Sequence, residues 1–323
     1  MNQKDVTKLL KAYKELCEGE EKYPASLVDY LAEEKSEYSK YMGADHTTEF
    51  KIAFLIEGEG YSRKLSGVRL YEAFYKYDME MLNNALYENA RLAHLNNLGT
   101  TDNDHTYFSY NVMPDLLAAN MVNNISLLLP EESGMCKGSV TGTAITNLFM
   151  AIWYQREDFA KEAVPFAQKK LSQKIRDYDR AYISYLLALL NKDVSEASTQ
   201  LELMCKGHRK LKDWGVTKFT RSFALGAHAM YNLSHYVYDG ALDGLVKMPE
   251  ADNFCQDLVI WQREHDYKPG RIVTQYPEPI ELMNHIMQTE PPAMHLRLDA
   301  KGNASLDGKR FEAELIAKIM STI

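Results

Sequence analysis

The sequence lacks any run of about 18 apolar residues, the length that a membrane-spanning helix requires. Its first residues, 1–5, lead into a charged amphipathic stretch and lack the apolar centre of a signal peptide. The four cysteines are at least 50 residues apart, so no CxxC or zinc-type spacing occurs. These absences predict a cytoplasmic protein with free thiols and no membrane partner.

The sequence also has no excess of basic residues in either half. Residues 1–150 contain 14 Lys and Arg against 22 Asp and Glu, whereas residues 151–323 contain 23 of each, so the first half carries the whole net charge of -8. A nucleic acid is bound by a basic face, so we expect no nucleic-acid partner. An acidic face would instead accelerate the encounter with a basic protein, and acidity that only maintains solubility is the alternative.

Apolar residues recur at the three- and four-residue spacing of amphipathic helices. Such stripes run through residues 70–81, 113–128 and 178–189, and each must pack on a neighbouring helix. The pattern predicts an all-α fold of about a dozen helices packed as antiparallel helical hairpins. The helical pairs cover residues 140–173, 177–213 and 217–247.

Residues that begin and end helices refine this prediction. Pro24 suits the first turn of one helix, and Ser139 can cap another that continues to Tyr154. Pro114 marks the start of a helix that we expect to end near Pro130.

The exception to the helical pattern lies near the C-terminus. Residues 294–299 alternate between apolar and polar, and residues 301–303 are a turn signal, so we expect a short β-hairpin or extended arm. A final helix is predicted over residues 309–320. We expect a single large helical domain over residues 1–323, and any internal division falls near 130–139, where the charge balance changes.

Three polar breaks in the acidic half carry the candidate partner-binding residues. The longest, from Gly99 to Asn111, combines two carboxylates with three aromatic rings, a composition typical of protein interfaces. The alternative is that these rings fold back into the core. The other two breaks are short and acidic, and they begin after Ile56 and Pro130. The candidate residues are Glu57, Glu59, Asp102, Asp104, Tyr107, Phe108, Tyr110, Glu131 and Glu132.

No pattern in the sequence assembles a catalytic or metal site. His228 and His235 are seven residues apart and can share a helix face, but two histidines without a third ligand are weak evidence for zinc. Asp102-Asn103-Asp104 resembles the start of a calcium loop, but Tyr107 and Met113 stand where that loop has Gly and Glu. We therefore expect no metal, no cofactor and no enzymatic activity.

One stretch of the second half follows a recognisable arrangement. The segment NLFMAIWY at 147–154 forms one predicted helix, and Arg156-Glu157-Asp158 follows it. Arg180-Ala181-Tyr182 then leads into LLALLNKD at 186–193. This arrangement resembles the immunity protein 49 family of bacterial polymorphic-toxin systems, and the similarity extends from about residue 67 to 265.

The resemblance implies a helical scaffold that binds a cognate toxin and occludes its active site, with no catalytic residues of its own. Residues 294–299 have no counterpart in that pattern. Together with the acidic first half, the resemblance predicts a cytoplasmic bacterial immunity protein that neutralises a toxin with a basic surface. The alternatives are a helical-repeat scaffold that binds a peptide in a groove, and an enzyme that uses buried carboxylates or His228 and His235.

Overall fold

The chain is helical along most of its length, as expected. A computed structural model describes residues 1–323 except 21, 44, 61–62, 97–105, 213–215 and 299–303, and it leaves undescribed the side chains of residues 59, 60, 63, 94, 96, 106, 107, 109 and 304. Within the described ranges, strands occur only in one two-stranded sheet near the C-terminus. The all-α prediction is therefore confirmed.

The first half begins with helices whose N-termini are capped by polar side chains. Asn2 accepts a hydrogen bond from the backbone N–H of Asp5, whose carboxylate accepts one in return, and Ser26 caps the second helix. A 3-10 turn over Glu131–Ser133 precedes the last helix of this half. The helices are α1 (Gln3–Glu18), α2 (Leu27–Tyr41), α3 (Thr48–Gly60), α4 (Arg63–Lys76), α5 (Met79–Asn96), α6 (Thr106–Asn111), α7 (Met113–Ala118), α8 (Asn123–Leu128) and α9 (Thr141–Trp153).

The second half continues with helices and ends with the small sheet and a last helix. Strands β1 (Leu296–Leu298) and β2 (Ala304–Leu306) pair antiparallel, which confirms the predicted hairpin, while the turn signal at 301–303 lies outside the described residues. The helices are α10 (Glu157–Leu171), α11 (Asp177–Leu190), α12 (Val194–His208), α13 (Lys218–Arg221), α14 (Leu225–Tyr236), α15 (Gln256–Glu264), α16 (Leu282–Gln288) and α17 (Gly308–Met320).

The buried apolar side chains form one continuous cluster that extends from Val6 on α1 to Ile319 on α17. Two of the three predicted hairpins form, with α10 against α9 and α12 against α11, whereas the pair expected over 217–247 is wrong because its first helix, α13, has only four residues. The approach of α12 to α11 is close at Gly207, where a Cβ atom would lie 2.8 Å from the backbone nitrogen of Tyr178. The single domain and the division near 130–139 stay predictions.

A buried carboxylate attaches the extended segment after α15 to the helices of the first half. Glu88 on α5 accepts hydrogen bonds from the backbone N–H groups of Val273, at 2.8 Å, and Thr274, at 2.7 Å. It also pairs with Arg69 on α4, with 2.8 Å between Nε and Oε2, and both side chains are at most 4% exposed. Since a buried charge is costly without partners, this set of bonds holds the segment in place.

The prediction of one helix from Pro114 to Pro130 is wrong. The segment forms two short helices, α7 and α8, because Asn120 adopts a left-handed backbone conformation with φ of 58°. Asparagine is one of the few residues that tolerate this conformation, and it ends a helix there. Breaks of this kind produce more helical segments than the dozen expected.

Two predicted helix starts are also corrected. The helix expected to begin at Pro24 begins at Leu27, with Ser26 as its cap. The cap of α9 is Val140 rather than Ser139, and no side chain accepts a hydrogen bond at that end.

Candidate partner-binding surface

Helices α2 and α3 carry a large part of the acidic charge of the first half. Residues 27–60 contain eight acidic and three basic residues, so this short region has a net charge of -5. Helix α2 packs on α4 and α3 packs on α5, Tyr38 and Ile52 are buried, and the exposed residues of both helices are mostly polar. Among the side chains that the structure describes there, the exposed carboxylates are Asp29, Glu33, Glu37, Asp45, Glu49 and Glu57.

Aromatic side chains lie among these carboxylates, and we call Tyr41, His46, Phe50 and Phe54 the aromatic strip. The ring centroids of Tyr41 and Phe54 are 6.1 Å apart, and those of His46 and Phe50 are 4.9 Å apart. Phe50 and Phe54 are one turn apart on α3 and therefore share a face. Tyr41 is 58% exposed and Phe50 is 49% exposed, so both rings are accessible to a partner.

Two carboxylates of α2, Glu37 and Glu34, have shifted pKa values. Lys40 hydrogen-bonds Glu37 with 2.6 Å between Nζ and Oε2, and this contact lowers the pKa of Glu37. Both side chains are exposed, so the pair is weak and a partner's cation can replace Lys40. Glu34 differs, because partial burial raises its pKa.

Of the residues predicted to bind a partner, Glu57 lies on this surface. The acidic break expected after Ile56 is wrong, because α3 continues through Gly60. Glu57 is exposed and follows Phe54 by three residues on the same helix. The side chain of Glu59 lies outside the described part of the chain.

The predicted patch from Gly99 to Asn111 is described only in part. Residues 97–105, which include Asp102 and Asp104, lie outside the described residues, as does the side chain of Tyr107. The remainder is helix α6, in which Phe108 is only 2% exposed. The ring of Phe108 is thus part of the core, which is the alternative that the sequence left open.

Tyr110 is half-buried and is engaged within the protein. Its hydroxyl donates a hydrogen bond to Oδ1 of Asp179 at 3.2 Å, and burial raises the pKa of the phenol far above its usual value. The expectation that Tyr110 anchors a partner is therefore corrected, since that contact would require breaking a partly buried hydrogen bond.

The third predicted group lies at the 3-10 turn before α9. Glu131 forms an ion pair with Arg156, with 2.6 Å between Oε1 and Nη1. Glu132 is exposed. The turn contacts β2, whereas α3 packs on α5, α16 and α17. The structure thus gives Glu131 an internal partner and leaves only Glu132 of this pair unengaged on the surface.

The two histidines of α14 have packing roles in the structure. His228 stacks on Phe254 with 4.0 Å between ring centroids, and its Nε2 accepts a hydrogen bond from the backbone N–H of Cys255. Burial lowers the pKa of His228 to about 3. His235 stacks on Tyr267 at 3.8 Å. Across the described ranges, no three His, Cys, Asp or Glu side chains are grouped so that they could hold a metal ion.

Sequence reasoning missed Tyr41 and Phe50, the two accessible rings of the aromatic strip. The signal that could have identified them is their position within residues 27–60, where the acidic charge of the first half is concentrated. Periodicity alone did not separate them from core residues, because Tyr38 and Phe54 have the same chemistry and are more buried.

Comparisons with known proteins give no relative for this chain. A scan against family models, a search of curated proteins and a search of solved structures each return no match. The resemblance to the immunity protein 49 family therefore depends on the residues quoted for it alone. Of the helices that the structure describes, none combines the length and the apolar character needed to span a bilayer.

Proposed function

We propose that the protein is an immunity protein that binds and neutralises a cognate toxin in the bacterial cytoplasm, through the acidic surface of α2 and α3. The observation that carries the proposal is the exposure of Tyr41 and Phe50, two large aromatic side chains, among charged carboxylates. Exposed aromatic residues are frequent energetic anchors of protein interfaces.

The two parts of the surface have different roles in this proposal. The net charge of -5 over residues 27–60 attracts a basic toxin domain and accelerates its encounter. The rings of Tyr41 and Phe50 become buried in the complex and slow its dissociation, because most affinity differences among related complexes arise in the dissociation rate.

Co-expression with the protein encoded beside this chain tests the proposal. We expect the unaltered protein to restore growth of cells that express this candidate toxin, and a Tyr41→Asp/Phe50→Asp variant to fail. Leu203→Asp/Ile260→Asp is the matched control, because it places the same two charges at apolar residues that are 43% and 42% exposed, on α12 and α15.

The outcomes separate the parts of the proposal. Failure of the unaltered protein to restore growth would contradict the immunity function. Full rescue by the double variant, at the same soluble level, would contradict the surface on α2 and α3 and leave the immunity function standing.

A further inference from the structure

A cleft lined mainly by cations, opposite in charge to the surface of α2 and α3, lies between three elements. These are α1, the end of α12, and α13. Its volume is about 300 Å³. Although the chain has a net charge of -8, the walls of this cleft are rich in cations. The charged residues that line it are Lys8, Lys11, Glu15, Arg209, Lys218 and Arg221.

Two of these cations pair with exposed carboxylates. Lys218 contacts Glu15 with 2.9 Å between Nζ and Oε2, and Arg209 pairs with Asp252 beside the cleft. Since ion pairs between exposed side chains contribute little to stability, a bound anion can take the place of either carboxylate.

The two lysines of α1 are differently engaged. Lys8 lies 3.4 Å from Asp5 and 3.9 Å from Asp252. Lys11 is exposed and forms no ion pair with the described carboxylates, although its charge helps to lower the pKa of Glu15, one turn further along α1. The ammonium of Lys11 is therefore available to a ligand without the loss of an ion pair.

Arg221 is held in a fixed orientation. Its Nε donates to the backbone oxygen of Thr217 at 3.3 Å, and its Nη1 donates to that of Leu211 at 3.5 Å. No ion pair to Arg221 is formed by the described carboxylates. Two backbone contacts thus hold a half-buried guanidinium, which reduces the ordering that ligand binding would require.

We infer that this cleft binds a compact anion that carries two or more phosphate or carboxylate groups. Five cations face one carboxylate in the lining, and Lys11 and Arg221 are charges without a pairing carboxylate. The volume lies at the small end of the range of ligand pockets, which suits a compact molecule. Guanidinium and ammonium groups are the usual partners of phosphates and carboxylates. This inference is independent of the proposed function.

Titration calorimetry with inorganic diphosphate, inorganic phosphate and citrate tests the inference on the full chain at low ionic strength. Diphosphate should bind at least about tenfold more tightly than phosphate, since its two phosphoryl groups and higher charge let it contact more of the cations at once. Lys11→Ala and Arg221→Lys should each weaken diphosphate binding about tenfold, a loss of one charge-assisted contact. Lys11 is exposed, so its variant retains the fold even if that of Arg221 does not.

Two further variants distinguish a specific binding site from non-specific attraction of the anion to positive charge on the protein. Glu15→Gln should tighten diphosphate binding, because it removes the carboxylate that competes for Lys218. Lys212→Ala is the matched control, because Lys212 lines a different cleft, between the start of α11 and the residues that follow α12, and its loss should leave affinity unchanged. Diphosphate binding without citrate binding assigns a phosphate ligand, and the reverse assigns a carboxylate ligand.

Binding of phosphate and diphosphate with equal affinity would overturn the inference, as would the absence of binding by both diphosphate and citrate. So would an equal loss of binding in Lys212→Ala and Lys11→Ala, because binding would then follow net charge alone.

Discussion

Tyr41 and Phe54 join the end of α2 to α3, with their ring centroids 6.1 Å apart and their planes tilted by 42°. The contact leaves one side of the Tyr41 ring in solvent, and the side chain is 58% exposed. Because Phe50 is one turn before Phe54 on the same helix, both accessible rings lie near Phe54, in a region with a net charge of -5.

The exposed rings should contribute little to folding. Tyr41→Ala and Phe50→Ala should each lower the free energy of unfolding by less than about 1 kcal/mol, because little buried area is lost. Phe108→Ala is the contrasting variant, since that ring is 2% exposed and its removal should cost about 3 to 5 kcal/mol. Urea denaturation measures all three. A large loss for Tyr41→Ala would mean that the ring belongs to the core.

Because Arg69 and Glu88 form a buried pair, removal of one of the two charges should strongly destabilise the protein. Glu88→Gln should lower the free energy of unfolding by about 3 to 5 kcal/mol, because Arg69 would remain buried without its counter-charge. Glu80→Gln on the same helix is the control, since Glu80 pairs with Arg271 at the surface and should cost less than about 1 kcal/mol. Equal losses in chemical denaturation would contradict the buried pairing.

Substitution of two glycines, one at the close approach of α12 to α11 and one on α3, should have opposite effects on stability. Gly207→Ala should destabilise the protein by about 1 to 3 kcal/mol, because its methyl group would meet the backbone of Tyr178 at 2.8 Å. Gly58→Ala should stabilise it by up to about 1 kcal/mol, since a Cβ at this position of α3 meets no atom within 4 Å. Thermal unfolding of the two variants shows whether each substitution raises or lowers stability. Stabilisation by Gly207→Ala would show that the helices are not so close.

The burial of His228 should make the protein less stable in acid. Burial lowers its pKa to about 3 in the folded state, below the value of about 6.5 expected in the unfolded chain. The unfolded chain therefore binds the proton more readily, so stability is lost as pH falls from about 6.5 towards 3. This linkage amounts to about 2 to 3 kcal/mol at pH 4.5.

Urea denaturation at pH 7 and pH 4.5 measures this linkage. His228→Gln keeps an acceptor for the N–H of Cys255 but does not titrate, so its stability should change less over the interval. Parallel pH profiles for the two proteins would exclude His228 as the source.

The sequence predicts those parts of the fold that depend on local signals. The stripe at 178–189 became a buried face of α11, and the alternation at 294–299 became β1. Local signals failed where one residue left its expected conformation. The stripe over 70–81 is interrupted at Tyr77, whose φ of 51° separates α4 from α5 although tyrosine gives no sign of a break.

The candidate site was harder to predict, because exposure depends on which helix covers a ring. Phe108 and Phe50 have the same chemistry and both lie in the acidic half, yet α9 lies over the first, through Phe149, and Phe50 remains 49% exposed. Periodicity cannot separate them, since the covering residue is distant in sequence. The charge pattern indicates the half of the chain in which the proposed surface lies.

The central claim is that the acidic surface of α2 and α3 steers a basic partner. The charge-reversal variant Glu37→Lys/Glu49→Lys/Glu57→Lys removes three exposed carboxylates from this surface. The control, Glu157→Lys/Glu162→Lys/Glu264→Lys, makes the same change in net charge at exposed carboxylates of α10 and α15.

The most direct measurement is the association rate constant of these proteins with the partner encoded beside this chain, as a function of salt concentration. We predict that reversal on α2 and α3 slows association about tenfold at low salt and flattens its salt dependence, whereas the control changes much less. Equal rates for the two variants at every salt concentration would contradict the account.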